Sequence, residues 1–133
     1  MYPIRTTVFL KDFEIHTTPL EKILIEPSSI KVFLDDISEQ RYKITFSPFQ
    51  AVNITAIDCT SALDFYNDYS FRDGRYHRHI LVMEDSDFIK SLDESTTNRN
   101  LLKLSKHFVL PLQEIIIEVV AYDIRIEPYN CDD

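Results

Sequence analysis

Glycine is nearly missing from this chain: Gly74 is the only one in 133 residues, where about 7% would be ordinary for a globular domain. Phosphate-cradling loops, dinucleotide-binding turns and nucleophile elbows all need glycine, because backbone must approach a ligand closely or adopt positive φ. None of those motifs can be written in this sequence. Cysteine is equally scarce. Cys59 and Cys131 are the only two, and their wide separation, with the second in a polar tail, argues against a structural disulfide. Long apolar runs are missing as well. The run Ile115, Ile116, Ile117 meets Glu118 at once, far short of the roughly 20 residues of a spanning helix. Residues 1–7 carry Arg5 and lack a signal-peptide core, so a soluble, cytoplasmic protein is expected. Positive charge is in deficit: 14 Lys and Arg against 22 Asp and Glu leave a formal charge of −8. Such a domain repels phosphate backbones and anionic membrane surfaces, and a basic protein is the electrostatically easier partner.

What is present is core material. Hydrophobic residues make up 44% of the chain, with nine Phe and seven Tyr, which argues against disorder. No repeat, low-complexity tract or linker divides it, so residues 1–133 are expected to form a single domain. Residues 7–15 read as a first strand. Thr18, Pro19 and Glu21 read as a capping box opening a short helix that buries Leu20, Ile23 and Leu24. Ile30, Val32 and Leu34, then Tyr42, Ile44 and Phe46 across a polar turn, form the strongest hairpin pattern. After Pro48, the two-residue period resumes at Val52, Ile54 and Ala56. Ser61 is placed to cap a helical stretch, and residues 67–78 read as a loop.

Residues 79–84 read as a buried strand, followed by a helix capped by Ser86 with Phe88, Ile89 and Leu92 on one face. Residues 106–112 and 115–127 complete the strands. In the last of these the pattern changes phase near Ala121, which predicts a bulge or sharp bend there. The expected fold class is α+β, a mainly antiparallel, curled sheet of five to seven strands with two or three short helices.

Side chains with chemical potential are few. His77 and His79 would share one side of an extended segment, a spacing compatible with metal, yet no further ligand pair accompanies them, so neither metal nor cofactor is expected. Cys59 reads as a small buried hydrophobe. Glu84, Asp85, Asp87, Asp93 and Glu94 surround the Ser86 helix. Asp87 suits the helix dipole, and the surplus acids are candidates for steering a basic partner. Arg72, Arg75 and Tyr76 are the second candidate group, because Arg and Tyr are favoured at interface hot spots. RNA stacking on the same residues is the rival reading, opposed by the net charge.

Two stretches, Phe46-Ser47-Pro48-Phe49-Gln50-Ala51-Val52 and Lys106-His107-Phe108-Val109-Leu110-Pro111 with Ile117-Glu118-Val119-Val120-Ala121, resemble small bacterial proteins encoded beside secreted toxins as immunity proteins. The resemblance implies a non-enzymatic, cytoplasmic protein-binding domain that occupies a toxin's active site or substrate groove, and it transfers no catalytic residue. An acidic surface would suit a basic nuclease toxin. The alternatives are a small ligand-binding domain or enzyme with a pocket near His77, His79 and Asp85, and a structural subunit.

Overall fold

The computed structural model describes residues 6–16, 21–56, 69, 71–93 and 99–130. In chain order the strands are β1 (Thr6–Val8), β2 (Lys22–Ile25), β3 (Ile30–Asp35), β4 (Arg41–Phe46), β5 (Phe49–Ala56), β6 (Phe71–Arg72), β7 (Arg75–Tyr76) and β8 (Leu81–Met83). Helices α1 (Asp87–Asp93) and α2 (Arg99–Leu104) follow, then β9 (Lys106–Pro111), β10 (Ile115–Ala121) and β11 (Ile124–Pro128). The fold is α+β and mostly antiparallel sheet. One sheet is five-stranded, ordered β1-β8-β9-β10-β5; a second is four-stranded, ordered β11-β4-β3-β2; and β6-β7 is a separate two-stranded hairpin. Where one curled sheet of five to seven strands was expected, the described residues form two sheets and a hairpin.

The β3-β4 hairpin follows its alternation. Ile30 pairs with Phe46, Val32 with Ile44 and Leu34 with Tyr42, so one face of both strands is apolar. The turn is organised by Asp36, whose Oδ1 accepts from the amides of Ser38 at 2.9 Å and Gln40 at 3.0 Å, the local bonding that suits Asp to turns. Beyond Phe46 the chain leaves this sheet at Ser47 and Pro48, a residue that cannot donate to a ladder, and β5 joins the other sheet beside β10.

The opposite crossing lies alongside it. The ladder register shifts between Val120 and Ala121, the chain turns at Tyr122 and Asp123, and β11 pairs with β4. The two crossings are stitched by Ser47 N donating to Asp123 O at 3.2 Å and Tyr122 N donating to Pro48 O at 3.0 Å. The phase change near Ala121 is thus a sheet-to-sheet bend.

Between the sheets lies one buried cluster. Ile30, Val32, Leu34, Ile44 and Phe46 from the smaller sheet meet Phe108, Leu110, Ile117 and Val119 from the larger. Phe108 sits among rings, edge-on to Phe9 at 5.6 Å and tilted against Phe46 at 5.4 Å. Leu81, Val109 and Ile116 form a second small cluster on the opposite face of the larger sheet.

Several local expectations are corrected. The first strand ends at Val8, and residues 9–12 turn, with Phe13 N donating to Leu10 O. Ile23 and Leu24 lie in a strand, not a helix, because β2 pairs with β3 along its whole length; Thr18, Pro19 and Leu20 fall outside the described residues. So do Cys59, Ser61 and Cys131. Residues 71–76 form a hairpin where a loop was expected, and a second helix, α2, precedes β9.

Candidate functional site

The β6-β7 hairpin turns through Asp73 and Gly74, at φ 55° and 76°, the left-handed pair that tight two-residue turns require. The chain's only glycine is spent on this turn. Phe71 and Tyr76 pair across the strands with ring centroids 4.8 Å apart, and each is 51% exposed. Arg75 is exposed beside them. Together with Glu14, Ile15, His16 and Ile37, Arg75 and Tyr76 line a cleft of about 410 Å³. Ile37, in the turn after β3, is 57% exposed.

Arg72 points the other way. Its guanidinium lies 3.8 Å from the centre of the Tyr69 ring, and Nη1 donates to Tyr69 O. Nη2 lies 3.2 Å from His79 Nε2 and 3.7 Å from Glu14 Oε1. Glu14 Oε2 also meets His77 Nδ1 at 2.9 Å, while His77 Nε2 reaches Arg72 O at 3.2 Å. His79 Nδ1 donates to Phe13 O at 2.8 Å. Burial pushes the His79 imidazole below its usual proton affinity, and the Arg72 charge adds to this against the opposing pull of the Phe13 carbonyl and Glu14. Of the predicted hairpin residues, Arg75 and Tyr76 therefore face the cleft, whereas Arg72 is an internal brace.

The predicted acidic group lies past the other end of β8. Glu84, Asp85, Asp87 and Asp93 are exposed around α1. Lys90 partly offsets them, bonding Asp85 at 2.6 Å and lying 3.9 Å from Asp87. Asp93 borders a cleft of about 340 Å³ with Ile89, Lys90, Leu102 and Lys103. Glu94 falls outside the described residues. The structure does not bring Asp85 to His77 and His79: β8 separates them, the histidines bonding Glu14, Phe13 and Arg72 while Asp85 bonds Lys90. Among the described residues, no three His, Cys, Asp or Glu side chains are grouped to hold a metal ion, and no helix is long and apolar enough to cross a membrane.

A further polar array covers the outer face of the larger sheet. Ser86 Oγ lies 2.6 Å from His107 Nδ1, and His107 Nε2 lies 2.9 Å from Glu118 Oε1. Asn53 donates to Glu118 Oε2 at 3.1 Å. A serine, histidine and carboxylate in series is what a serine hydrolase uses to activate its nucleophile. Ser86 is only 6% exposed, and its Oγ also accepts the Ile89 amide at 3.1 Å as the cap of α1. The array is a strut joining α1 to β9, β10 and β5. Ser86→Ala is accordingly expected to cost about 1–2 kcal/mol, from the lost cap and the stranded His107 nitrogen, with Ser86→Thr recovering most of it in denaturant unfolding. A loss below about 0.5 kcal/mol would remove the strut.

Glu118 was visible in sequence as the lone charge in an apolar run. Glu14, Asn53 and Ile37 carried no such signal, because their partners are distant in the chain. No family model, curated protein or solved structure matches this chain.

Proposed function

We propose that this chain is a non-enzymatic protein-binding domain, acting in the cytoplasm as an immunity-type inhibitor, whose contact surface is the β6-β7 hairpin with its adjoining cleft. The observation that carries this reading is the exposed, mutually stacked pair Phe71 and Tyr76, standing with Arg75 and Ile37 beside a concave surface. Aromatic and arginine side chains next to a pocket are what interface hot spots are made of, since aromatics supply large contact area at low entropic cost and arginine supplies several donors. The non-catalytic part is supported by the histidines. His77, His79 and His107 each have both ring nitrogens within bonding distance of protein groups.

The partner is a basic domain, drawn by the −8 charge and by the exposed carboxylates of Glu84, Asp85, Asp87 and Asp93, which steer encounter more than they hold the complex. Immobilised chain is expected to retain one basic protein from the cells that make it, and Arg75→Ala/Tyr76→Ala is expected to weaken that association at least about tenfold. Asp85→Lys/Asp87→Lys should slow association and flatten its salt dependence. Equal retention by wild type and the hairpin variant would defeat the reading.

A further inference from the structure

Each strand of the β6-β7 hairpin is two residues long, too short to hold a position unaided. Its placement depends on ties to the sandwich, and among the described residues Arg72, Glu14, His77 and His79 supply such ties. Arginine is a donor only. The 3.2 Å approach of Arg72 Nη2 to His79 Nε2 is therefore a hydrogen bond in one state alone, with the lone pair on Nε2 and the ring proton on Nδ1. Nδ1 has its acceptor in place, Phe13 O at 2.8 Å. A second proton on the ring would set N–H against N–H and imidazolium against guanidinium at a residue only 1% exposed.

We propose that His79 is a proton-operated latch on the β6-β7 hairpin: neutral, it accepts from Arg72 and holds the hairpin against the sandwich; protonated, it expels Arg72 and loosens the surface carrying Phe71, Arg75 and Tyr76. This regulation rests on the reading of that hairpin as the contact surface. The groups facing His79 act in both directions. Burial and the Arg72 charge oppose its protonation, whereas the carbonyls of Phe13 and Leu10 and the Glu14 carboxylate favour it. The Tyr69 ring, 5.3 Å from the imidazole, also carries Lys11 at 4.9 Å.

His77 also ties the hairpin to the sandwich, set between the Glu14 carboxylate and the Arg72 carbonyl. For His79 the sign is fixed by its lowered proton affinity, below the ordinary 6.5. Above that pH both latched and released forms are neutral and the latch is at full strength. As pH falls below it, the released form binds the proton first, and the ratio of latched to released forms drops by at most about tenfold per pH unit until His79 titrates in place.

The test is amide hydrogen exchange on the full chain without partner, from pH 7.5 to about 5, expressed as protection relative to intrinsic rates. Hairpin amides of wild type are expected to lose protection relative to those of β9 and β10. In His79→Gln, whose amide offers a donor and an acceptor but does not titrate, that protection should hold. If His79→Gln does not fold, His79→Asn and Arg72→Gln make the same comparison, the latter through removal of the repelling charge. Identical pH profiles in wild type and variants would overturn the latch. Nitrogen-15 shifts of His79 supply an independent readout: Nε2 should be the unprotonated nitrogen at neutral pH, and the reverse tautomer would also overturn it. Capture of a partner at neutral pH does not enter this experiment, so latch and contact surface fail separately.

Discussion

Phe108→Ala is expected to destabilise the chain by about 3–5 kcal/mol, a large part of the 5–15 kcal/mol that holds an ordinary domain together. Phe108 is 1% exposed, lies on β9 opposite Val119, and is flanked by Phe9 and by Phe46 of the facing sheet. Truncation removes the ring's burial and both aromatic contacts. It also leaves a void that two hydrogen-bonded sheets cannot easily close, so the cavity adds to the transfer cost. Guanidinium unfolding of Phe108→Ala beside the exposed-site control Phe71→Ala checks this. A core loss below about 1 kcal/mol, or a control of equal size, would contradict the role of Phe108 as a bridge between sheets.

Glu118→Gln is expected to cost about 1–3 kcal/mol at neutral pH, and the cost should shrink in acid. Glu118 accepts from His107 at 2.9 Å and Asn53 at 3.1 Å. Burial pushes its carboxyl upward, but the bonds from His107 and Asn53, with the charge of the imidazole, outweigh that and hold the group below the ordinary value of 4.5. The folded chain thus binds fewer protons here than the unfolded chain between the two values. Its contribution to stability is complete above about pH 4.5 and is lost as pH falls through the folded value. Glutamine keeps the shape but turns an amide toward groups that are both donors, leaving one unsatisfied. Unfolding free energies of the two proteins should therefore converge as pH drops. A gap of constant size across the acid range would show that the carboxylate's charge is not what the array uses.

How far the fold was legible depended on whether a pattern had one physical solution. Ile30, Val32, Leu34 and Tyr42, Ile44, Phe46 permit one apolar face only, and they pair as their alternation requires. Ser86 before an apolar stripe has the chemistry of a cap, and it caps α1. Ile23 and Leu24 were ambiguous, because helical and strand spacings overlap over so short a stretch; pairing with β3 decided for the strand. The candidate site was legible only in part. Arg72, Arg75 and Tyr76 were recognisable as interface chemistry, yet the placement that turns Arg72 inward to Glu14 and His79 while Arg75 and Tyr76 line the cleft depends on Glu14, a residue remote in the chain.

By itself the amino-acid order determined the local features: alternation, the Ser86 cap, the phase change near Ala121, and the lack of glycine-dependent motifs. These follow from interactions between near neighbours, whose geometry the backbone imposes. Tertiary structure decided the partition into two sheets, the paired crossings at Ser47 with Pro48 and Tyr122 with Asp123, and the conversion of four histidine-linked contacts into a brace. Those outcomes rest on burial of apolar faces and on hydrogen bonds between residues remote in sequence, and their free energy exists only once the chain has closed upon itself.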